Sequence, residues 1–575
     1  IYSIKDIPFN IRSYAVYPES STFNTNNLFM QAITGNLINI AKRSIQLSTI
    51  EFDSHIRKIT VLREEIDPRY PFILPGFIDA HIHIESSMLI PAEFARLAVT
   101  HGTIATVSDP HEIANVCGLA GVQYMIDNGK TVPFKFNFGA PSCVPATIFE
   151  TAGAALDSHD VHMLLQHPEI RYLSEMMNFP GALNGDPEVM KKIESAHSLG
   201  KPIDGHAPGL RGDAAKKYID LGISTDHECF TYEEADEKLG YGMKIIIREG
   251  SAARNFEALI PLLHHHPDLI MFGSDDKHPD ELAISHINAL CQRAVEKGID
   301  LFNILQAACI NPVQHYKLDV GLLNENEPAD FIIVSDLTSF YVMDTFIDGK
   351  HVAHNGKTLI ERNINLSAPH KFNCTPIHQE ELYIQAINDE YDLPVIEALD
   401  GQLITLKSKE KPLIKNGSCH SNIENDILKI VVVNRYGKAA IAKAFIKNFR
   451  LKKGAIASSV AHDSHNIVAV GVDDESLMHA INMIIQVKGG ISIWNEDDQQ
   501  VLPLPVAGLM SSEDGYKIGE IYAHLDAAAK RAGSTLRSPY MTLSFMALLV
   551  IPNLKLSDKG LFDGETFRLI SLLDH

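Results

Sequence analysis

An apolar run from Phe72 to Ile78 opens straight into Asp79-Ala80-His81-Ile82-His83, and this stretch limits the chain more than any other. A strand sends residues i and i+2 to one face, so His81 and His83 can aim two imidazoles at one point. They would do so near the C-terminal end of a buried strand, an arrangement suited to a metal ion. Two surface or capped histidines would show the same spacing, so the rest of the chain has to decide.

From residue 76 to 320 strand and helix patterns alternate. Strands are predicted over 72–83, 104–109, 134–140, 172–176, 203–206, 224–228, 243–247 and 269–274, and helices over 91–101, 186–199, 211–221, 231–239 and 279–297. Eight such units match a (β/α)8 barrel in count and in size. Short alternating strands come before it (37–40, 45–52, 56–62) and after it (329–334, 346–353). The predicted architecture is therefore α/β. An arm (1–27) leads into a small β-sandwich domain built from both flanks (28–74 with 320–370). The barrel (75–319) sits between those flanks, and an α/β domain (376–575) follows, with strands over 429–433 and 467–471 and a helix over 474–487.

Composition narrows the class. A chain of 575 residues is too long for one core. A net charge of −22 argues against a nucleic-acid backbone or an anionic membrane as the main partner. The best basic cluster, Lys443, Lys447, Arg450, Lys452 and Lys453, reads as a solvated surface. Seven cysteines without a C-x-x-C read as reduced thiols. No apolar run reaches the roughly 18 residues of a membrane span, and residues 1–26 lack a secretion-signal pattern. A cytoplasmic location is expected.

Barrel enzymes place their chemistry at strand C-termini. Strand one ends at His81 and His83, and strand two runs into Asp109-Pro110-His111-Glu112. Strand four ends at Glu175, five at His206, six at His227 and eight at Asp275. Each residue alone has a plain structural reading, as a cap, a loop residue or a satisfied core imidazole. Together, at matching ends of successive strands, they point to a metal centre. His81, His83 and Asp275 can hold one divalent ion, His206 and His227 a second, and Glu175 can bridge them. Water shared by two such ions yields hydroxide at neutral pH. Asp275 can take its proton and pass it to a leaving group. Asp79 or Glu85 can orient the imidazoles from behind.

The stretch 75–88 resembles the adenine deaminase family of the amidohydrolase superfamily. So do 108–116, Ser174-Glu175-Met176-Met177-Asn178, Gly205-His206-Ala207-Pro208, Arg248-Glu249-Gly250-Ser251 and Ser274-Asp275-Asp276. Beyond the barrel, 459–467 and 503–511 resemble the C-terminal domain of the same family. The resemblance runs from residue 30 to the end and does not extend to the arm. It implies hydrolysis of adenine to hypoxanthine and ammonia, in purine salvage. It implies two divalent ions, Mn²⁺ or Fe²⁺ before Zn²⁺, and a homo-oligomer, commonly a dimer. Cyclic-amide hydrolases of the superfamily bridge their metals with a carboxylated lysine. Strand four offers Glu175 instead, and Lys135 stands at the wrong end of strand three.

Other residues keep two readings. His111 and Glu112 face the substrate or a metal, or they cap a loop. Arg248, Glu249 and Ser251 read the purine edge, or form a structural Arg–Glu pair. His462-Asp463-Ser464-His465 is a second metal cluster, or a turn packed toward the barrel mouth. His264-His265-His266 reads as a solvated loop. Two other functions remain open: another aminohydrolase or cyclic amidase on the same barrel, and an inactive barrel that serves as a binding protein.

Overall fold

The computed structural model describes residues 30–363, 367–386 and 391–572. The expected N-terminal arm (1–27) lies outside the described residues. Eight parallel strands form the barrel: β1 (Phe77–Ile82), β2 (Thr103–Ser108), β3 (Lys135–Ala140), β4 (Ile170–Met176), β5 (Ile203–Gly205), β6 (Ile223–Asp226), β7 (Lys244–Arg248) and β8 (Ile270–Gly273). They pair in sequence order. The ring closes where Asp275 donates its backbone N–H to His81 O at 2.8 Å and accepts from His83 N at 3.2 Å. Asp79 reinforces that seam, because its carboxylate accepts from Ser274 N at 3.0 Å.

The apolar run that leads into the histidines belongs to two sheets. Phe72–Pro75 pairs with Phe331–Val334 on one side and with Gln31–Asn39 on the other, while Phe77 starts the barrel. Gly76 makes the step between them. A Cβ there would lie 2.5 Å from the Ile104 side chain, so only glycine lets the chain pass. Segments before and after the barrel thus share one eight-stranded sheet. Phe52, Phe331 and Phe346 anchor its own small core.

The predicted helix over 279–297 is two helices, Pro279–Ile284 and Ile287–Glu296. Between them the His286 ring turns inward to Asp79, 2.8 Å from Nε2. The buried partner wins over helix continuity.

Residues 393–503 form a second eight-stranded sheet, mostly antiparallel, covered on one face by the helix Asp474–Val487. A longer helix, Gly515–Arg531, runs against the barrel helix Pro279–Ile284 and approaches so closely that Gly519 admits no side chain comfortably. Its first turn is fixed to the barrel: Gly515 N donates to Glu93 at 3.0 Å, and Arg96 pairs with Asp514 at 3.0 Å. Ser511 exchanges backbone hydrogen bonds with Met88 and Ile90 just past β1. The C-terminal region is therefore packed onto the barrel mouth. All seven cysteines are free thiols, and no helix among the described residues is long and apolar enough to cross a membrane.

Candidate active site

The strand ends bring together the residues that the spacing singled out. His81 and His83 sit at the end of β1 with ring centroids 5.0 Å apart. Glu175, one residue before the end of β4, reaches the centre. Its Oε2 lies 2.9 Å from His206 Nδ1 and 3.1 Å from His227 Nε2, and its Oε1 lies 3.4 Å from His83 Nε2. Asp275 Oδ1 lies 3.3 Å from His83 Nε2 and 3.6 Å from His81 Nε2. Glu175 thus stands between a pair of imidazoles on one side and the His83–Asp275 group on the other. All six residues are buried.

Several nitrogens in this cluster have no hydrogen-bond partner: both of His81, Nε2 of His206 and Nδ1 of His227. Buried imidazole nitrogens left bare beside carboxylates suit metal ligation, and the donor set of four imidazoles and two carboxylates suits a divalent transition ion. Groups such as His81–His227–Asp275 and Glu175–His206–His227 bring their ligand atoms within 4.8 Å of one another. Burial opposes ionisation of Asp275, yet the Arg248 guanidinium and the His81 and His83 imidazoles overcome it and hold the carboxyl well below the usual carboxylate range. Burial likewise opposes Glu175, and His206 and His227 overcome it. Both stay anionic near neutral pH, as metal ligands must be.

Two residues past β8 the backbone turns left-handed, with φ +56° at Asp275. Aspartate tolerates this region better than most residues. The two hydrogen bonds to β1 hold the twist and aim the carboxylate inward.

Neither expected orienting carboxylate touches a ligand imidazole ring. Asp79 bonds to Ser274, His286 and the His81 backbone. It lies one pleat below His81 and serves the β1–β8 seam. Glu85 accepts from Ile113 N at 3.1 Å, and burial pushes it up to about 7. The contact that fixes a ring runs from His83 Nδ1 to the Asp109 carbonyl, at 3.2 Å. Lys135 is tied to Asp330 at 2.6 Å at the start of β3, at the opposite end of the barrel.

Arg248, at the end of β7, donates to Glu228 Oε2 at 2.8 Å and also pairs with Asp275. It lines the central cavity. Its neighbours do not. Glu249 pairs with Arg293 at 2.6 Å, and Ser251 donates to Glu281 at 2.9 Å while accepting from His278 N. Adjacent residues on a strand face opposite ways, so Arg248 and Glu249 cannot both read one ligand. Glu228 is the residue that spacing alone passes over: it follows His227, lines the cavity and holds Arg248.

His111 starts the helix after β2. Its Nδ1 lies 3.0 Å from Asp109 Oδ2 and 3.4 Å from Glu175 Oε1. Glu112 also lines the cavity: its Oε1 lies 3.4 Å from His111 Nε2, and its carboxylate accepts from His462 Nδ1 and His465 Nε2. Those imidazoles come from the hairpin loop between Ala455–Ser458 and Ile467–Gly471. Loops belong on the surface, but residues 459–466 are all buried, inserted into the barrel mouth. Burial opposes ionisation of Glu112, and the His462 and His465 imidazoles overcome it. The cavity thus has a floor of metal-ligand candidates and a roof of Leu403, His462, Asp463, Phe545 and Leu548. His264 and His265 lie exposed on the far side.

Residues 402–568 match the adenine deaminase C-terminal domain, and residues 72–352 match the amidohydrolase family. An adenine deaminase of Sulfurovum sp. (strain NBC37-1) is 54% identical over 538 residues, covering 93% of this chain and 98% of its own length. One from Salinibacter ruber is 50% identical over 543 residues, covering 94% and 98%. One from Methanosarcina mazei is 51% identical over 526 residues, covering 90% and 95%.

Proposed function

The chain belongs to the adenine deaminase family of amidohydrolases, and on that premise we propose how it converts adenine and water to hypoxanthine and ammonia. The observation that carries the assignment of the site is the convergence of six buried ligand candidates from five barrel strands, with bare imidazole nitrogens among them.

His81, His83 and Asp275 would hold one divalent ion, His206 and His227 the other, with Glu175 shared. A pair of divalent ions there supplies hydroxide at neutral pH by lowering the pKa of water. Asp275 has Oδ1 toward His81 and His83 and Oδ2 on Arg248, so it is placed to accept the attacking water's proton at Oδ1. Oxygen adds to the ring carbon that bears the amino group. Asp275 returns the proton to the amine, which departs as ammonia, and the second water proton ends on ring N1. Arg248 keeps Asp275 ionised between turnovers and is itself anchored by Glu228. His111 stands beside Glu175 and faces the cavity. Glu112 holds the roof imidazoles and lines the cavity beside His111.

The rest follows from the family resemblance: Mn²⁺ or Fe²⁺ as the ions, a place in cytoplasmic purine salvage, and a homo-oligomeric assembly. On the same reading the chain divides into a metal-binding barrel at 75–319, a flanking β domain at 28–74 with 320–370, and a C-terminal domain at 376–575 that would form the roof.

Ammonia release from adenine tests the reading, on protein stripped of metal and reloaded separately with Mn²⁺, Fe²⁺ and Zn²⁺. Cytosine, guanine, adenosine and a hydantoin run beside it. Metal-dependent release from adenine alone is expected, with Asp275→Asn inactive. Activity confined to a hydantoin would overturn the substrate.

A further inference from the structure

Two polar atoms on the cavity wall come from the C-terminal sheet rather than from the barrel: Nε2 of His462 and Oδ2 of Asp463. Both residues are 2% exposed, both line the cavity, and neither atom has a hydrogen-bond partner, although Asp276 Oδ1 lies 3.8 Å from His462 Nε2. Buried polar atoms are rarely left unmatched, and a carboxylate oxygen is among the most costly to strand. The rest of the roof holds these groups in place. His462 gives its Nδ1 proton to Glu112, and its ring stacks on Phe545 at 4.5 Å and 15°. The other Asp463 oxygen lies 3.6 Å from His111 Nε2. Leu403, Phe545 and Leu548 supply the apolar surface around them.

A bare carboxylate oxygen is a hydrogen-bond acceptor, so the partner that matches it carries an N–H or O–H. Adenine has two kinds of donor. One is the amino group, which reacts and must sit over the metal ligands on the floor. The other is the single N–H of its five-membered ring. A nucleoside has lost that N–H to the glycosidic bond, and an N-methylated base has lost it to carbon.

We propose that Asp463 selects the free base: its Oδ2 accepts the ring N–H of the purine while the amino group meets the barrel floor. His462 flanks that contact, and the substrate class becomes 6-aminopurines unsubstituted on the five-membered ring. Asp463 is thereby a specificity-determining residue contributed by the C-terminal domain. This inference rests on the protein being an adenine deaminase.

The test compares kcat and KM for adenine and 9-methyladenine in the metal-loaded wild type and in Asp463→Asn, with bound metal measured for both. The wild type is expected to favour adenine by about 10³-fold or more in kcat/KM, because the methylated base leaves a buried carboxylate unpaired. Asparagine fills the same space but can donate to a ring nitrogen. In the variant KM for adenine should rise by about tenfold or more, metal content should hold, and the preference should shrink by at least about tenfold. A wild type that turns over 9-methyladenine as well as adenine would overturn the inference without any variant. So would an Asp463→Asn enzyme with unchanged preference, or one whose defect tracks lost metal. A wild type inactive on adenine would instead defeat the underlying reading.

Discussion

Glu112 and His462 lie 350 positions apart in sequence and share a hydrogen bond at the centre of the molecule. Glu112 leads from the barrel's second strand, and His462 hangs from a hairpin of the C-terminal sheet. Because His465 binds the other carboxylate oxygen, one side chain fixes both imidazoles of the inserted loop.

Replacing Glu112 should therefore loosen the roof and leave the metal ligands in place. Glu112→Ala removes a buried anion from two imidazoles and should cost about 3–5 kcal/mol of stability. Glu112→Gln should fold better but raise KM for adenine, with metal content unchanged. Denaturant melts and metal analysis by mass spectrometry check both. A Glu112→Gln protein that loses metal would place the residue in the metal site instead.

Glu175 is shared between two groups of imidazoles, and an amide offers one neutral acceptor where the carboxylate offers two charged ones. Glu175→Gln should weaken binding of divalent ions by at least about tenfold. Competition with a chromophoric chelator measures this without any assay of turnover. Wild-type affinity in the variant would remove Glu175 from the ligand set.

Arg248 is fully buried between Glu228 and Asp275. Arg248→Met would leave two buried carboxylates facing each other and should destabilise the fold by about 3–5 kcal/mol. Arg248→Lys keeps the charge but cannot grip Glu228 with two parallel N–H groups. It should lower kcat by about 10–100-fold with a smaller loss of stability. Steady-state kinetics beside thermal melts separate these effects.

Lys555 supports the roof from behind, donating to the carbonyls of Leu403 at 2.6 Å and Phe545 at 2.9 Å. Burial pulls its amino group down from 10.5 to about 7. Between those values the unfolded chain binds a proton that the folded chain does not, so this residue makes stability rise with pH. Its contribution is fully present above 10.5 and is lost as pH falls toward 7. The stability difference between the wild type and Lys555→Met, from denaturant melts at pH 6, 8 and 10, should move toward the wild type as pH rises. Parallel curves would refute the low pKa.

The metal-ligand candidates were legible because a barrel maps strand ends onto one face. His81, His83, Glu175, His206, His227 and Asp275 each stand at or just past the end of a predicted strand, and the fold does the rest. Arg248 and Glu249 could be separated by strand alternation alone, since one faces in and the other out. The helix Gly515–Arg531 also left a trace: Asp514 caps it, and Ile518, Tyr522 and Leu525 mark its buried face. The break at His286 had none, because nothing near it in sequence shows that Asp79 will claim its ring. The same holds for Leu403, Phe545 and Leu548. Each is an ordinary residue in its own segment, and only long-range packing brings them over the floor. Asp463, by contrast, belongs to the 462–465 cluster that the sequence already marks as a turn packed toward the barrel mouth.

The seam between floor and roof has a thermodynamic meaning of its own. A base lying there would touch side chains from both sides at once, so its binding energy would add to whatever holds the C-terminal region against the barrel. Ligand and interface would then be coupled, each strengthening the other. The bound base would act as part of the joint, and its departure would be the moment when the two halves are held least firmly.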